Sequence, residues 1–151
     1  MNYLVIGYGN LLRSDDGVGQ LVAEEVEKWG LSHVRSRALH QLTPELVDEI
    51  AKSEVVIFVD AIAANSKLPS DMTLEPVEPN STEPILGHRS DPQSLMLFAK
   101  ALYGKTPDAY QILIPGVDFS FGENLSPLTQ TGFEMALKKI KEFVCHSSIF
   151  V

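Results

Sequence analysis

Residues 54–59, EVVIFV, are the run that most limits what this chain can fold into. The run is β-branched and apolar on both faces, so neither face tolerates water. A strand of this kind belongs inside a parallel sheet that is covered on both sides. The rest of the chain supplies both the neighbours and the covers. Residues 2–7 (NYLVIG) read as a second buried strand bounded by glycine. Residues 33–39 and 109–114 read as further strands. Residues 72–77 (MTLEPV) read as a strand near an edge, because Pro76 cannot donate to a ladder.

Helical patterns alternate with these runs. One spans about Asp15 to Trp29, with Val18, Leu21, Val22, Val26 and Trp29 on one face and Gly30 as its stop. A short one starts at Thr43 as N-cap and Pro44 as first residue, with Leu46, Val47 and Ile50 inward. A third opens at Ser90-Asp91-Pro92, with Leu95, Phe98, Ala99 and Leu102 inward and Gly104 as its stop. The last runs from Ser126-Pro127 to about Val144, with Phe133, Ala136, Leu137, Ile140 and Val144 inward. The order predicts an α/β fold: a three-layer sandwich with a mixed, mostly parallel sheet of about five strands and helices on both faces. At 151 residues the whole chain, 1–151, reads as a single domain.

The net charge of −8 leaves nothing basic to neutralise phosphates, so neither nucleic acid nor an anionic membrane is expected as partner. No apolar run approaches membrane-spanning length. The single cysteine, Cys145, excludes a disulfide framework and a cysteine metal cluster. The opening MNYLVIGYG lacks the pattern of a signal peptide, so a cytoplasmic protein is expected.

The chemistry concentrates in GYGNLLRSDDGVG, Gly7 to Gly19, between the first strand and the first helix. A dinucleotide fingerprint would need G-x-G-x-x-G. Gly7 and Gly9 fit, but the third position is Leu12, and Asp15 and Asp16 put negative charge where a pyrophosphate needs positive potential. A P-loop fails for want of Gly-Lys-Ser/Thr. One aspartate could serve as a helix cap. Two, beside the four glycines of this stretch, fit a cation better. Asp60 follows the apolar run 54–59 directly, where a carboxylate is unfavourable unless it is paired or ligates a metal. His88 lies in the long polar loop 78–90. Two aspartates and a histidine would form a three-ligand site with an open position, suited to nickel, zinc, manganese or iron.

The loop GYGNLLRSDDGVG matches throughout a signature similar to G-x-G-N-x-L-x-x-D-[DE]-G-x-G, which opens the nickel–iron hydrogenase maturation proteases. The VDA at Val59–Ala61 and the LSP at Leu125–Pro127 resemble further motifs of that family. HQLTPEL, LGHRSDP, ALYG and LIPGVDFSFGENLSPLT resemble its branch for bidirectional, NAD-linked hydrogenases. The resemblance implies an endopeptidase that removes the C-terminal extension of the hydrogenase large-subunit precursor after nickel insertion. It implies metal-binding and catalytic roles for Asp16, Asp60 and His88. The nickel would be carried by the substrate, and a surrogate zinc, cadmium or nickel ion could occupy the same ligands. A monomer is expected. The chain departs from better-known branches at HQLTPEL, where they have a Gly-Thr-Gly turn, and around GHRSDP. His40 is therefore the alternative third ligand or a fourth group.

No conventional nucleophile is evident. Cys145 is remote in sequence from every candidate, and neither G-x-S-x-G nor H-E-x-x-H occurs. A protease of this sequence would use water with metal assistance. Asp15 would cap the helix or act as general base. The rival reading is a nickel-dependent chaperone that holds the precursor without cutting it.

Overall fold

The computed structural model describes residues 1–64, 72–79, 91–104 and 106–149. Its elements are β1 (Tyr3–Tyr8), α1 (Val18–Lys28), β2 (Val34–Leu39), α2 (Leu46–Ala51), β3 (Val55–Ala63), β4 (Glu75–Pro76), α3 (Pro92–Tyr103), β5 (Asp108–Gly116) and α4 (Pro127–Ile149). The five strands form one sheet in the order β2-β1-β3-β5-β4. All neighbours are parallel except β4, which runs antiparallel along β5.

Alternation along the strands sorts the core into two layers. On one face Tyr3, Val5, Val55, Ile57, Val59, Ile112 and Ile114 pack with Val18, Val22 and Val26 of α1 and with Ala136, Ile140 and Val144 of α4. On the other, Leu4, Ile6, Val56, Phe58 and Ala109 meet Leu46, Val47 and Ile50 of α2 and Leu95, Met96 and Ala99 of α3. The expected three-layer α/β sandwich is therefore present. Each large aliphatic side chain so enclosed contributes about 1.5–3 kcal/mol.

Several boundaries differ from the sequence reading. A 3-10 turn, Ser14–Gly17, precedes α1, so the regular helix begins at Val18 and not at Asp15. Asp15 is drawn instead toward the loop after β5. Thr43 and Pro44 form a turn ahead of α2: their carbonyls accept from Leu46 and Val47, and the helix starts at Leu46 without a side-chain cap. The expected strand 72–77 shortens to Glu75–Pro76, at the sheet edge as Pro76 suggested. Leu102, expected inward, is 70% exposed at the overhanging end of α3. The start of α3 is as expected, with Asp91 accepting from the Ser94 N–H at 2.7 Å. Its stop is Gly104, in the left-handed region at φ +76°.

The glycines of the first loop serve close packing. A Cβ built on Gly19 would lie 2.5 Å from the Val59 carbonyl oxygen and 2.6 Å from that of Tyr8. The start of α1 thus rests directly on the backbone of β1 and β3. Gly9 takes φ +144°, and a Cβ there would meet the Asp16 carbonyl oxygen at 2.0 Å. These contacts are with main chain, which cannot swing aside. Gly19→Ala is expected to destabilise the protein by about 3 kcal/mol or more. Urea denaturation should show this as a large drop in midpoint, and an unchanged midpoint would contradict the packing described.

Candidate active site

Three segments meet at the carboxyl edge of the sheet: the first loop, the end of β3, and the loop 117–126 between β5 and α4. Asp15 ties the first to the last. Its side chain is fully buried (0% exposed). Oδ2 accepts from the N–H groups of Val117 and Asp118, both at 2.9 Å, and from the Ser126 hydroxyl at 2.8 Å. Oδ1 accepts from the Ser126 N–H at 2.7 Å. Burial by itself would raise this carboxyl, but the donors from Ser126, Val117 and Asp118 outweigh it and hold Asp15 below the usual carboxylate range. Asp15 is therefore neither the cap of α1 nor an available base. Its acceptor positions are spent on structure.

Further bonds extend the seam. Ser14 N–H donates to Gly122 O and Gly122 N–H donates to Leu12 O, both at 2.8 Å. The Ser14 hydroxyl donates to Ser120 O at 2.8 Å, and Arg13 Nε donates to Phe119 O at 3.1 Å. Ser14 sits at φ +52°, strain that this network holds in place.

The neighbouring Asp16 has the opposite environment. It is half-buried, and its Oδ2 accepts the Asn10 N–H at 2.8 Å. The Asn10 side chain in turn accepts from Leu12 N–H at 2.9 Å, and buried Gln20 donates to Gly9 O at 2.7 Å. These bonds fix the loop that carries Asp16.

Asp60 lies where β3 continues past its last pair with β1. Gly7 pairs with Val59, so the acid emerges just beyond the β1 ladder. Its Oδ1 accepts the Ala61 N–H at 2.8 Å. Burial pushes its carboxyl up to about 6; the Ala61 N–H and the Tyr8 hydroxyl pull the other way, and the charge of Asp16 raises it further. Asp16 and Asp60 thus share one electrostatic environment at the same edge. The Tyr8 phenol is pushed far up by burial, then by the charge of Asp60, its hydrogen bond to Asp60, and the charge of Asp91. Among the described residues no lysine or arginine pairs with Asp16 or Asp60.

His88 lies outside the described residues. Asp91, three positions later in the sequence, caps α3, and its charge reaches Tyr8. His40 is exposed and follows Leu39, whose carbonyl accepts the Gly9 N–H at 3.1 Å. It occupies the same edge on the β2 side. Among the described residues no group of three metal-ligating side chains is assembled. Sequence reasoning did not assign Tyr8 or Ser126 to the site. Both lie in the quoted motifs, but only their contacts across the fold show what they serve.

The fold has close counterparts among solved structures. The hydrogenase maturating endopeptidase HybD from E. coli superposes with a TM-score of 0.76 at 22% identity, covering 97% of this chain and 94% of that one. The [NiFe] hydrogenase maturation protease HybD from Thermococcus kodakarensis gives 0.73 at 20% identity, covering 95% and 99%. The maturation protease HycI from T. kodakarensis KOD1 gives 0.71 at 24% identity, covering 93% and 90%. This chain has the hydrogenase maturation protease fold. No protein-family model matches the chain, and no curated protein matches it by sequence.

Asp15 and Asp60 make opposite stability predictions. Asp15→Asn places an amide against N–H donors and is expected to destabilise by about 3 kcal/mol at neutral pH. Because the Asp15 carboxyl is lowered on folding, its contribution is present above the unfolded value and fades as pH falls through the folded one. Asp60 is raised to about 6, so ionising it opposes folding as pH climbs through that value. Asp60→Asn is expected to gain about 1–2 kcal/mol over the parent at pH 7, after discounting for solvent screening, and little at pH 4. Melting curves of both variants across pH 4–7 check the signs, and destabilisation of both at pH 7 would refute the assignment for Asp60.

Proposed function

We propose that this chain is a hydrogenase maturation protease that removes the C-terminal extension of the nickel–iron hydrogenase large-subunit precursor, acting in the cytoplasm as a monomer. The observation that carries the reading is the convergence of Asp16 and Asp60 at the carboxyl edge without a cationic partner among the described residues. Carboxylates so placed invite a cation. The fold shared with named maturation proteases supports the same reading.

In this proposal nickel held by the precursor docks on Asp16, Asp60 and His88, with His40 as the alternative to His88. Docking fixes the scissile peptide beside the acids, an orientation effect. Water attacks the scissile carbonyl carbon. The docked metal, or a carboxylate acting through water, assists the attack, and the proton released by the water passes to the departing amine. Tyr8 holds the Asp60 carboxylate in place. Asp15 keeps the surrounding loops assembled and takes no proton.

Asp16→Asn and Asp60→Asn are each expected to lower processing about 100-fold or more while remaining folded. A gel shift of nickel-loaded precursor reads this directly, and His88→Ala beside His40→Ala identifies the third ligand. Processing should also fall as pH drops through about 6, because Asp60 must be ionised to engage the metal. Precursor without nickel should stay uncut. Equal cleavage of nickel-free and nickel-loaded precursor would remove metal docking from the mechanism.

A further inference from the structure

The exposed large apolar side chains of the described residues are not scattered evenly. Leu11, Leu12, Ile62, Val117 and Phe121, at or just beyond the ends of β1, β3 and β5, all lie at the carboxyl edge of the sheet, as do Asp16 and Asp60. Phe121 is 86% exposed and Leu12 49%. The two loops bearing all of these but Ile62, which lies on β3, are joined directly, through the Gly122 N–H to Leu12 O bond and the bridge between Arg13 and Gly122. Both loops are anchored by the buried Asp15. An aromatic ring held in water on a pinned loop loses little conformational freedom when a partner covers it, the property of an interface anchor.

The end of β3 adds a second, independent feature. Pairing of β3 with β1 stops at Gly7–Val59, whereas pairing with β5 continues to Ala63–Gly116. Ala64 N–H donates to Gly116 O at 3.0 Å, toward β5. Backbone groups alternate sides along a strand, so the N–H and C=O groups of Ala61 and Ala63 face the β1 side, beyond the end of β1. Asp60 Oδ1 takes the Ala61 N–H. Among the described residues no backbone hydrogen bond reaches Ala61 O, Ala63 N–H or Ala63 O. A strand edge of this kind is a template for an extended main chain.

We propose that the projecting end of β3 and the apolar rim of Leu12 and Phe121 form a groove that binds an extended, apolar segment of the precursor by strand addition. The inference rests on the protease reading and states how that enzyme holds the polypeptide it cuts. The free edge supplies main-chain hydrogen bonds in step with Asp60, and the rim selects apolar side chains on either side of it. The bound segment thereby crosses the two acids in a fixed register. Occupation of the edge by another segment of this same chain is the competing arrangement.

The test is steady-state processing of nickel-loaded precursor by the full chain and three variants. Phe121→Ser removes the anchor. Ala63→Pro removes one donor from the open edge and none from the β3–β5 ladder. Leu102→Ser changes an exposed apolar residue on α3, away from the edge, and serves as control. Thermal melts establish that each variant is folded. The expected result is a KM raised roughly tenfold for Phe121→Ser and for Ala63→Pro, with kcat within about twofold of the parent and Leu102→Ser unchanged. Unaltered KM in both edge variants overturns the groove while leaving the protease reading intact, and is also the outcome if the chain covers its own edge. A parent that fails to process the precursor is the failure of the protease reading itself, and the groove falls with it.

Discussion

The carboxylate of Asp15 is the interaction on which the working edge depends. It is buried, charged, and satisfied by the backbone of Val117, Asp118 and Ser126 together with the Ser126 hydroxyl. A charge in such a place is tolerable only because every donor is aimed at it. Three segments are fixed as a result: the first loop, the loop 117–126, and the start of α4 at Ser126. The strained backbone at Ser14 and the displacement of the helix start to Val18 follow from the same pull. With Asp15 turned inward, the 3-10 turn leaves Asp16 facing the edge.

Asp60 shows the reverse economy. Burial and the proximity of Asp16 raise its carboxyl to about 6, against two stabilising hydrogen bonds. The fold therefore bears a carboxylate it would be more stable without. Such a group is understandable at a site where a metal or a proton arrives, because binding then relieves what folding alone does not. Asp15 and Asp60 are both acids at one end of one sheet, yet one stabilises the protein when ionised and the other opposes it.

The same edge combines acid and apolar surface. Phe121, Leu12, Ile62 and Val117 are exposed at the same edge as the carboxylates, although the chain as a whole carries a net charge of −8. Local pairs such as Lys28–Glu25 and Lys52–Asp48 offset a few of the acids at helix surfaces. Among the described residues, exposed apolar side chains and two acids without a cationic partner thus share this end of the molecule.

The sequence by itself determined the layers. The two-sided apolar run of β3, the alternation in β1, and the periodic faces of α1, α3 and α4 each have one satisfactory burial, so the α/β sandwich follows from local pattern. It also marked the Asp15–Asp16 pair and Asp60 as exceptional, since glycines beside paired acids and an acid ending a buried strand are both costly without purpose. Tertiary structure alone decided which aspartate of the pair would face the edge. Adjacent residues of identical chemistry carry no local signal to separate them, and the choice is made by Val117, Asp118 and Ser126, all more than a hundred positions away from Asp15. The same holds for the partnership of Tyr8 with Asp60, and for the end of β3, which among the described residues runs on unpaired on the β1 side because the β1–β3 pairing stops one residue short of the acid. Hydrogen-bond donors brought in from distant segments and the relative lengths of paired strands are properties of the assembled sheet, not of any stretch of the chain.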